Sequence, residues 1–410
     1  MSKRIAIIGI GMDGNTTLTW EAEAVISVAE LLIGADRMLA PFKDSEKEMI
    51  CCYQSEEIAK KIADSEAESI AVLMSGDCGF YSGAKKLLPL LKEYEVQVIS
   101  GISSPVYLAS RLGISWQDMY FVSLHGRNAN IARAVASHEK TFFLLGGKSG
   151  SSPAVPFGEP PVATSAEVCE RLCAYGLADV EVTVGEKLAM EEERILQGRA
   201  SEFTEVETDS LSVMLVVNPG YERYIASGIS EEAFVRGQVP MTKSEVRAVC
   251  ISKLRIGSTD VCYDLGCGTG SVSVEMALQC PEGTVYAVDK KTEAVALTRE
   301  NAHRFACDNI AVVEGELTDV VGDLPAPDVV FIGGTSGTLS EVVRLVYEKN
   351  PSARVVMTAV SLETIGESLA VFETYGKTTE ITQVAVTKTK KVAAHTMLAA
   401  ENPVFIIMVC

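Results

Sequence analysis

The chain alternates between short apolar runs and longer segments in which apolar residues recur with a helical period. In the first half the apolar runs include RIAIIGIG, SIAVLMSGD, VQVISG, TFFLLGG and LSVMLVVNP. The second half is more regular: it contains VCYDLGCGTG, TVYAVDK, NIAVVEGE and DVVFIGG, and it ends with two predicted strands around TEITQVAVTKT and NPVFIIMVC. Strands that alternate with helices predict largely parallel sheets covered on both faces, so the pattern indicates an α/β protein.

The alternation is interrupted between Pro219 and Pro240, where no sustained strand pattern is present. A chain of 410 residues has room for two or three domains of ordinary size. We therefore predict a first domain over residues 1–222, a linker over 223–237 and a second domain over 238–410.

Composition and charge narrow the range of functions. The chain is 47% hydrophobic and 22% charged, which is typical of a folded globular protein. Its net charge of -19 disfavours nonspecific binding to nucleic acid or to anionic lipid. The 11 cysteines include no CxxC pair, so we expect reduced thiols and no metal site. Because we find no signal peptide and no apolar stretch of membrane-spanning length, we expect a cytoplasmic protein without a membrane partner.

A glycine loop in the second half carries the sharpest motif. Asp264–Gly270, DLGCGTG, follows a predicted strand and opens a helix, and Asp289 ends the next strand, 19 residues after Gly270. Glycines let the backbone approach a ligand, and an acid at the end of the next strand can accept hydrogen bonds from ribose hydroxyls. The pattern resembles the class I S-adenosylmethionine-dependent methyltransferases. An NAD-binding site shares the geometry, but Asp264 favours S-adenosylmethionine, because the family's acid at that position faces the methionine end. The resemblance implies that the cofactor contacts Asp264, Gly266, Cys267, Gly268, Thr269, Gly270 and Asp289.

The first half has a less specific glycine loop, which three further motifs follow in the sequence. Gly9–Gly14, GIGMDG, could by itself bind a dinucleotide. It is followed by Ser75–Tyr81 (SGDCGFY), Gly101–Pro105 (GISSP) and Ser123–Arg127 (SLHGR). These four ordered segments resemble the tetrapyrrole methylase family, in particular the branch that methylates a late corrin precursor at carbon 5. The resemblance implies cofactor contacts from Gly9, Gly11, Ser75, Gly76, Asp77, Gly79, Ser103 and Ser104, and substrate contacts from His125 and Arg127.

Residues 238–410 resemble the enzymes that methylate carbon 15 of the same precursor and remove the acetate carboxyl at carbon 12. The resemblance rests on PMTKSEVR, DLGCGTGSVSVE, VYAVDK, VVEGE and FIGGTSG. It implies that Thr242, Gly315 and Glu316 also line the cofactor site. Four positions depart from the family patterns. Cys78 stands where proline is usual, which removes a fixed φ, Ser100 stands where proline often precedes GISS, Leu145–Lys148 (LGGK) replaces a more usual DGK, and Glu316 replaces an aspartate.

Taken together, the two resemblances imply a tetrapyrrole methylase fold of two α/β subdomains, followed by a class I Rossmann-like domain. They imply a homo-oligomeric enzyme of cobalamin biosynthesis with one S-adenosylmethionine in each domain. Its substrate would be precorrin-6B or cobalt-precorrin-6B, methylated at carbons 5 and 15 with decarboxylation at carbon 12, and its product precorrin-8 or the cobalt form.

A corrin precursor is fringed with carboxylates, so we searched for cations that bind it. Candidates are Lys388 to Lys391, above all Lys390 and Lys391, together with His395, Lys243 and Arg247. The alternative for these cations is a solvated strand end or helix face. The residues point to no catalytic acid or base.

Three alternative functions stay open at this point. The first is an NAD-dependent oxidoreductase and the second is a noncatalytic corrinoid-binding protein. The third, a nucleic-acid methyltransferase, is disfavoured by charge and by Phe331–Thr335, FIGGT, where amine-directed members carry an acid or Asn with two prolines.

Overall fold

The computed structural model describes residues 3–125, 129–146, 155–158, 160, 162–222 and 227–409. The chain divides into two compact units. The first comprises residues 1–123, 140–147 and 181–216, and the second comprises residues 124–139, 148–180 and 217–410. The chain therefore passes between the units several times. None of the helices in the described part of the chain is long and apolar enough to cross a membrane.

The first unit contains a five-stranded parallel sheet. Its strands are β1 (Arg4–Gly9), β2 (Leu31–Gly34), β3 (Glu48–Cys51), β4 (Ser69–Met74) and β5 (Glu95–Ile99), in the order β3-β2-β4-β1-β5. The helices of this half of the unit are α1 (Trp20–Val28), α2 (Asp36–Leu39), α3 (Ser55–Asp64), α4 (Ala84–Leu87) and α5 (Ser104–Leu112). Ile7 and Ile8 of β1 point to opposite faces and are both fully buried, so the sheet is covered on both sides.

A second, mixed sheet completes the first unit. It contains β6 (Met119–Ser123), β7 (Lys140–Leu144), β8 (Glu181–Glu186), β9 (Arg194–Arg199) and β10 (Ser212–Val217), in the order β6-β7-β10-β8-β9, with the short helix α8 (Ala200–Phe203). The β6 and β7 pair is parallel, and the β8 and β9 pair is antiparallel. The presence of two sheets confirms the prediction of two α/β subdomains.

The second unit is built on a seven-stranded sheet in the order β13-β12-β11-β14-β15-β19-β16. Its strands, with two that lie outside this sheet, are β11 (Val261–Leu265), β12 (Thr284–Asp289), β13 (Ile310–Glu314), β14 (Val329–Ile332), β15 (Arg354–Ala359), β16 (Thr379–Val384), β17 (Thr387–Val392), β18 (His395–Ala400) and β19 (Val404–Val409). Five strands are parallel, and β19 runs antiparallel to both β15 and β16. The strand order reverses between β11 and β14, which is where open α/β sheets bind ligands.

Helices surround this sheet. They are α9 (Ser244–Leu254), α10 (Ser271–Gln279), α11 (Thr292–Arg304), α12 (Leu317–Val320), α13 (Leu339–Lys349) and α14 (Leu362–Glu373). The order and direction of the strands confirm the predicted class I Rossmann-like domain.

The end of the chain differs from the sequence prediction. We predicted two late strands, but the structure has four: TEITQVAVTKT divides into β16 and the start of β17, and β18 was not predicted. Strands β17 and β18 pair with each other in a separate antiparallel sheet. Every residue of β18 is exposed, so this hairpin lacks the half-buried alternation from which a strand is predicted.

The second unit also holds α6 (Ile131–Ser137) and α7 (Ser165–Ala174). The buried Asp308 carboxylate accepts hydrogen bonds from the Ile131 N–H and from Arg171 Nη1, both at 3.1 Å. Asn130 caps α6 and donates from Nδ2 to Asn309 Oδ1 at 2.9 Å. These polar contacts fix α6 and α7 to the residues that precede β13.

Candidate functional site

A cavity of about 410 Å³ lies at the carboxyl ends of β11 and β14, the neighbouring strands between which the strand order of the seven-stranded sheet reverses. Its size is in the range of small-molecule and cofactor sites. The sequence-predicted residues that line it are Thr242, Lys243, Asp264, Gly266, Cys267, Gly268, Asp289, Gly315 and Glu316. The fold thus brings the segments singled out in the second half of the sequence to one place.

The glycine loop after β11 forms one wall of the cavity and has no room for a Cβ at Gly266 or Gly268. Gly266 and Gly268 have φ values of +78° and +57°. A Cβ on Gly266 would lie 2.6 Å from the Gly334 carbonyl oxygen, and one on Gly268 would lie 2.7 Å from the Pro240 carbonyl oxygen. Glycine is therefore required both by the backbone conformation and by the close approach of neighbouring chain segments.

Asp289 is held in place at the end of β12. Its Oδ2 accepts a hydrogen bond from the Gly268 N–H at 3.1 Å, and its Oδ1 accepts one from the Lys291 N–H at 3.0 Å. Each carboxylate oxygen can accept a further hydrogen bond. The arrangement presents a fixed pair of acceptors to a ligand with two neighbouring hydroxyl groups.

Asp264 presents a buried carboxylate to the same cavity. Its Oδ2 accepts a hydrogen bond from the Ser273 hydroxyl, and its Oδ1 has no partner among the described residues. Burial raises the pKa of Asp264 from 3.8 to about 7. A buried carboxylate oxygen without a donor is costly, so this position suits a ligand that brings a cationic N–H donor.

Two loop residues play a different part. Thr269 and Gly270 belong to the glycine loop, but they are absent from the described residues that line the cavity. Gly270, with φ of +73°, caps the N-terminus of α10, and the Thr269 hydroxyl oxygen is buried without a partner in the described part of the chain. The structure gives Gly270 a role in the turn into the helix.

The cationic residues predicted to bind the substrate do not all lie at the cavity. Lys243 lines the cavity and pairs with Glu231 at 3.4 Å. Lys390, Lys391 and His395 are exposed on the β17–β18 hairpin and are not among the described residues that line the cavity.

Two other cations are already paired. Lys388 lies 3.0 Å from Glu245 and 3.3 Å from Glu231. Arg247 contradicts both interpretations made from the sequence: its side chain has 0% exposure and forms an ion pair with Glu275, so it is neither a substrate contact nor part of a solvated helix face.

In the first unit three loops meet at the edge of the parallel sheet. The Gly11 and Gly76 backbones exchange hydrogen bonds of 3.1 and 2.8 Å. A Cβ on Gly9 would lie 2.6 Å from the Gly76 carbonyl oxygen and 2.8 Å from the Gly101 nitrogen. The glycines here allow the loops after β1, β4 and β5 to pack against one another, which assembles the motifs GIGMDG, SGDCGFY and GISSP in one place.

Side chains of these loops hold the arrangement together. Asp77 accepts hydrogen bonds from the Gly79 N–H at 2.7 Å and the Gly101 N–H at 3.0 Å, which joins the β4 loop to the β5 loop. The Ser75 hydroxyl accepts one from Arg37 Nη2 at 3.0 Å. Arg37 was not predicted from the sequence, because it belongs to none of the recognised motifs. The available signal was its position three residues after the buried strand β2.

Four further predicted residues lie beside these loops or outside the described part. Ser103 is buried and caps the N-terminus of α5, and Ser104 is the first residue of that helix. His125 is exposed. Arg127 lies outside the described residues.

Cys78 stands where the family usually has proline, and its thiol fixes the loop by hydrogen bonding. The buried Sγ lies 3.4 Å from the Ile99 carbonyl oxygen and 3.6 Å from the Ile7 carbonyl oxygen, so its single S–H proton has an acceptor. Burial raises the pKa of Cys78 to about 11, so the thiol stays protonated and remains a donor. Proline has no such donor, and the thiol provides a different means of fixing the loop.

Comparison with known proteins agrees with this architecture. Residues 4–204 match the family described as tetrapyrrole (corrin/porphyrin) methylases, and residues 232–410 match the precorrin methyltransferase domain. The chain is 40% identical over 187 residues to a probable cobalt-precorrin-6B C(15)-methyltransferase (decarboxylating) from Pyrobaculum calidifontis, covering 45% of this chain and 96% of the relative. The chain belongs to the precorrin methyltransferases. Members of this family use S-adenosylmethionine.

The chain is also similar to other precorrin methyltransferases. A protein with the same description from Saccharolobus solfataricus is 40% identical over 190 residues, covering 45% of this chain and 96% of the relative. A crystal structure of a precorrin-6Y C5,15-methyltransferase from Geobacter metallireducens is 34% identical, covers 46% of this chain and 98% of that chain, and has a TM-score of 0.44.

The cavity of the second unit fits S-adenosylmethionine, the cofactor of this family. Oδ1 of the buried Asp264 has no donor among the described residues, Asp289 offers two oriented acceptors, and the backbone at Gly266 and Gly268 can be approached closely because no side chain covers it. The amino group of the methionine part of S-adenosylmethionine can donate to Asp264, its ribose hydroxyls can donate to Asp289, and the rest of the molecule can lie against the glycine backbone.

Proposed function

We propose that this protein is a bifunctional methyltransferase of cobalamin biosynthesis that acts on precorrin-6B or its cobalt form. The first domain, residues 1–222, methylates carbon 5. The second domain, residues 238–410, methylates carbon 15 and removes the acetate carboxyl at carbon 12, and residues 223–237 link the two. The product is precorrin-8 or its cobalt form. The observation that carries the proposal is the cavity in which Asp264, the glycine loop and Asp289 converge.

In the second domain the chain's own residues bind and orient the donor. S-adenosylmethionine supplies an activated methyl group on a cationic sulfonium. Asp289 accepts hydrogen bonds from the ribose hydroxyls, and Asp264 pairs with the ammonium group of the methionine part. The segments at Thr242 and at Gly315–Glu316 form the remaining walls.

In the first domain the assembled loops at Gly9–Gly11, Ser75–Gly79 and Ser103–Ser104 form the second donor site that we propose. Support comes from the mutual packing of these loops at the carboxyl ends of parallel strands, where α/β sheets bind ligands. Each chain then holds two donor molecules.

The acceleration comes mainly from position. The methyl group is already activated and a meso carbon of a reduced tetrapyrrole is nucleophilic, so alignment of the two in a cavity with little water provides much of the rate. The conjugated ring of the substrate accepts the electron pair released by loss of carbon dioxide. Lys390, Lys391 and His395, together with His125, Arg127 and Lys243, are the proposed partners of the peripheral carboxylates.

Mass spectrometry of the product tests the proposal. Incubation of the full chain with S-adenosylmethionine and precorrin-6B, or cobalt-precorrin-6B, is expected to add two methyl groups and release one carbon dioxide. Asp289→Ala is expected to abolish the decarboxylation and one methylation, while the other methylation continues. Asp77→Ala is the matched variant in the first domain and is expected to remove the remaining methylation. A wild-type product with unchanged mass from both substrates would contradict the proposal.

Competing functions predict other results. An NAD-dependent oxidoreductase would bind NADH in place of S-adenosylmethionine, and a corrinoid carrier would bind the macrocycle without consuming methyl donor. We propose a cytoplasmic homo-oligomer that binds no nucleic acid; light scattering measures the oligomeric state, and a gel-shift assay tests nucleic-acid binding.

A further inference from the structure

A fully buried ion pair lies next to the cofactor cavity of the second unit. Arg247 of α9 donates from Nε to Glu275 Oε1 of α10 at 2.6 Å, and neither side chain has exposed surface. Burying two charges removes their hydration, so such a pair is a weak source of net stability. A role for this pair is therefore to be found in the segments of the chain that the two side chains connect.

The two side chains hold three segments of the chain together. Arg247 donates from Nη1 to the Thr242 carbonyl oxygen at 2.7 Å and from Nη2 to the Ile229 carbonyl oxygen. Glu275 accepts from the Ile229 N–H at 2.9 Å and from the Gly228 N–H at 3.1 Å. Every nitrogen of the guanidinium thus has a partner, and the carboxylate joins α10 to the chain before α9.

Both ends of this network reach the cavity wall. Thr242 belongs to the segment Val239–Lys243, which lines the cavity and places the Pro240 carbonyl against Gly268. Glu275 lies on α10, the helix that the glycine loop enters at Gly270. The pair therefore connects the Val239–Lys243 segment with the helix that follows the glycine loop through buried bonds.

We propose that Arg247 and Glu275 are positioning residues, which set the separation between the Val239–Lys243 wall and the glycine loop and thereby the affinity for S-adenosylmethionine. The proposal rests on the function proposed above for this cavity. Arginine is required because its three nitrogens reach three acceptors that lie apart, Glu275, Thr242 and Ile229, whereas the three N–H donors of a lysine all radiate from one nitrogen.

The test is a site-resolved titration with S-adenosylmethionine on the full chain. Hydrogen exchange of peptides covering residues 261–291 gives the dissociation constant of the second site independently of the first. The double variant Arg247→Met with Glu275→Leu removes both charges and leaves neither unpaired. We expect it to fold and to bind S-adenosylmethionine at least tenfold more weakly than wild type.

A second variant, Arg247→Lys, separates the effect of positioning from the effect of charge pairing. It also keeps the test valid if the double variant does not fold. It keeps a cation beside Glu275 but cannot bond Thr242, Ile229 and Glu275 together, so we expect an affinity at least fivefold below wild type. Retention of wild-type affinity by Arg247→Lys, or by a folded double variant, overturns the proposal.

A second ion pair provides the matched control. Arg354, at the start of β15, pairs with Asp260, which precedes β11. This pair lies at the amino ends of the strands, whereas the cavity lies at their carboxyl ends. The variant Arg354→Met with Asp260→Leu is expected to bind S-adenosylmethionine within twofold of wild type, and a tenfold loss there would overturn the assignment to the Arg247 pair. Absence of binding by the wild-type second site would refute the proposed function itself, whereas normal wild-type binding with unaffected variants refutes only the positioning role.

Discussion

Replacing Asp264 by asparagine is expected to stabilise the protein without ligand and to weaken cofactor binding. Asp264 has an ordinary pKa of 3.8 when exposed and a pKa of about 7 in the folded chain, because burial disfavours the charged form. Since the folded state binds the proton more tightly, stability falls as the pH rises from about 4 to about 7. At pH 8 the ionised carboxylate lowers the free energy of unfolding by about 4 kcal/mol.

The net effect of the substitution depends on pH. The asparagine amide has no partner at the position of Oδ1, and an unsatisfied buried donor costs about 1–2 kcal/mol. We therefore expect Asp264→Asn to raise the free energy of unfolding by about 2–3 kcal/mol at pH 8 and to give no gain at pH 4. Loss of a charge-assisted hydrogen bond is expected to lower the affinity for S-adenosylmethionine by about tenfold or more.

The assay must report on the second unit. Both tryptophans, Trp20 and Trp116, lie in the first unit, so their fluorescence does not follow unfolding around Asp264. Hydrogen exchange of the peptide that covers β11 and α10, measured in increasing urea at pH 4 and pH 8, gives the local free energy of unfolding. The dissociation constant for S-adenosylmethionine is obtained from the same peptide.

Asp308 provides a control for the effect on affinity. Burial raises its pKa to about 6, and its carboxylate is paired with Arg171 at 3.1 Å; it is not among the described residues that line the cofactor cavity. Because the folded state again binds the proton more tightly, Asp308→Asn is also expected to raise the free energy of unfolding of the second unit at pH 8, but with unchanged affinity for S-adenosylmethionine. If Asp264→Asn lowers the stability at pH 8, or keeps wild-type affinity for S-adenosylmethionine, the role given to the unpaired carboxylate is refuted.

Three further predictions concern other parts of the molecule. Gly266→Ala places a Cβ against the Gly334 carbonyl at positive φ and is expected to abolish cofactor binding at the second site in a titration. Gly366→Ala in α14 is the control: an added Cβ there meets no described atom within 4 Å outside its own helix backbone and chain neighbours, so the variant should raise the free energy of unfolding by about 0.5–1 kcal/mol. Cys78→Ala is expected to lower the stability of the first unit by about 1 kcal/mol in tryptophan-monitored urea unfolding, and Cys78→Ser to keep most of it; equal stability of Cys78→Ala and wild type contradicts the role of the thiol. Charge reversal at Lys390 and Lys391, to which no acid among the described residues is paired, is expected to weaken precorrin binding with unchanged S-adenosylmethionine affinity, and unchanged precorrin affinity by calorimetry rejects that role.

The parts of the fold that could be predicted are those in which local sequence and final position agree. In the second unit an apolar run, a glycine loop, a helix and an acid at the end of the next strand are consecutive in sequence and adjacent in space. Asp264 and Asp289 are therefore recognisable from spacing, and parallel strand ends bring the loops together. The same argument explains why the three loops of the first unit were predicted.

The features that escaped prediction depend on contacts distant in sequence. Arg247 stands in a segment of ordinary polarity, and only the fold places Glu275, 28 residues later, beside it. The hairpin of β17 and β18 has no buried face, so its sequence lacks the alternation that indicates a strand. Arg37 reaches Ser75 across 38 residues through the pairing of β2 with β4.

We propose that one chain has two separate donor sites. Native mass spectrometry of the folded full chain at saturating S-adenosylmethionine counts the molecules bound. We expect two per chain for the wild type and one for Asp289→Ala. One or none for the wild type would contradict the proposal of two sites.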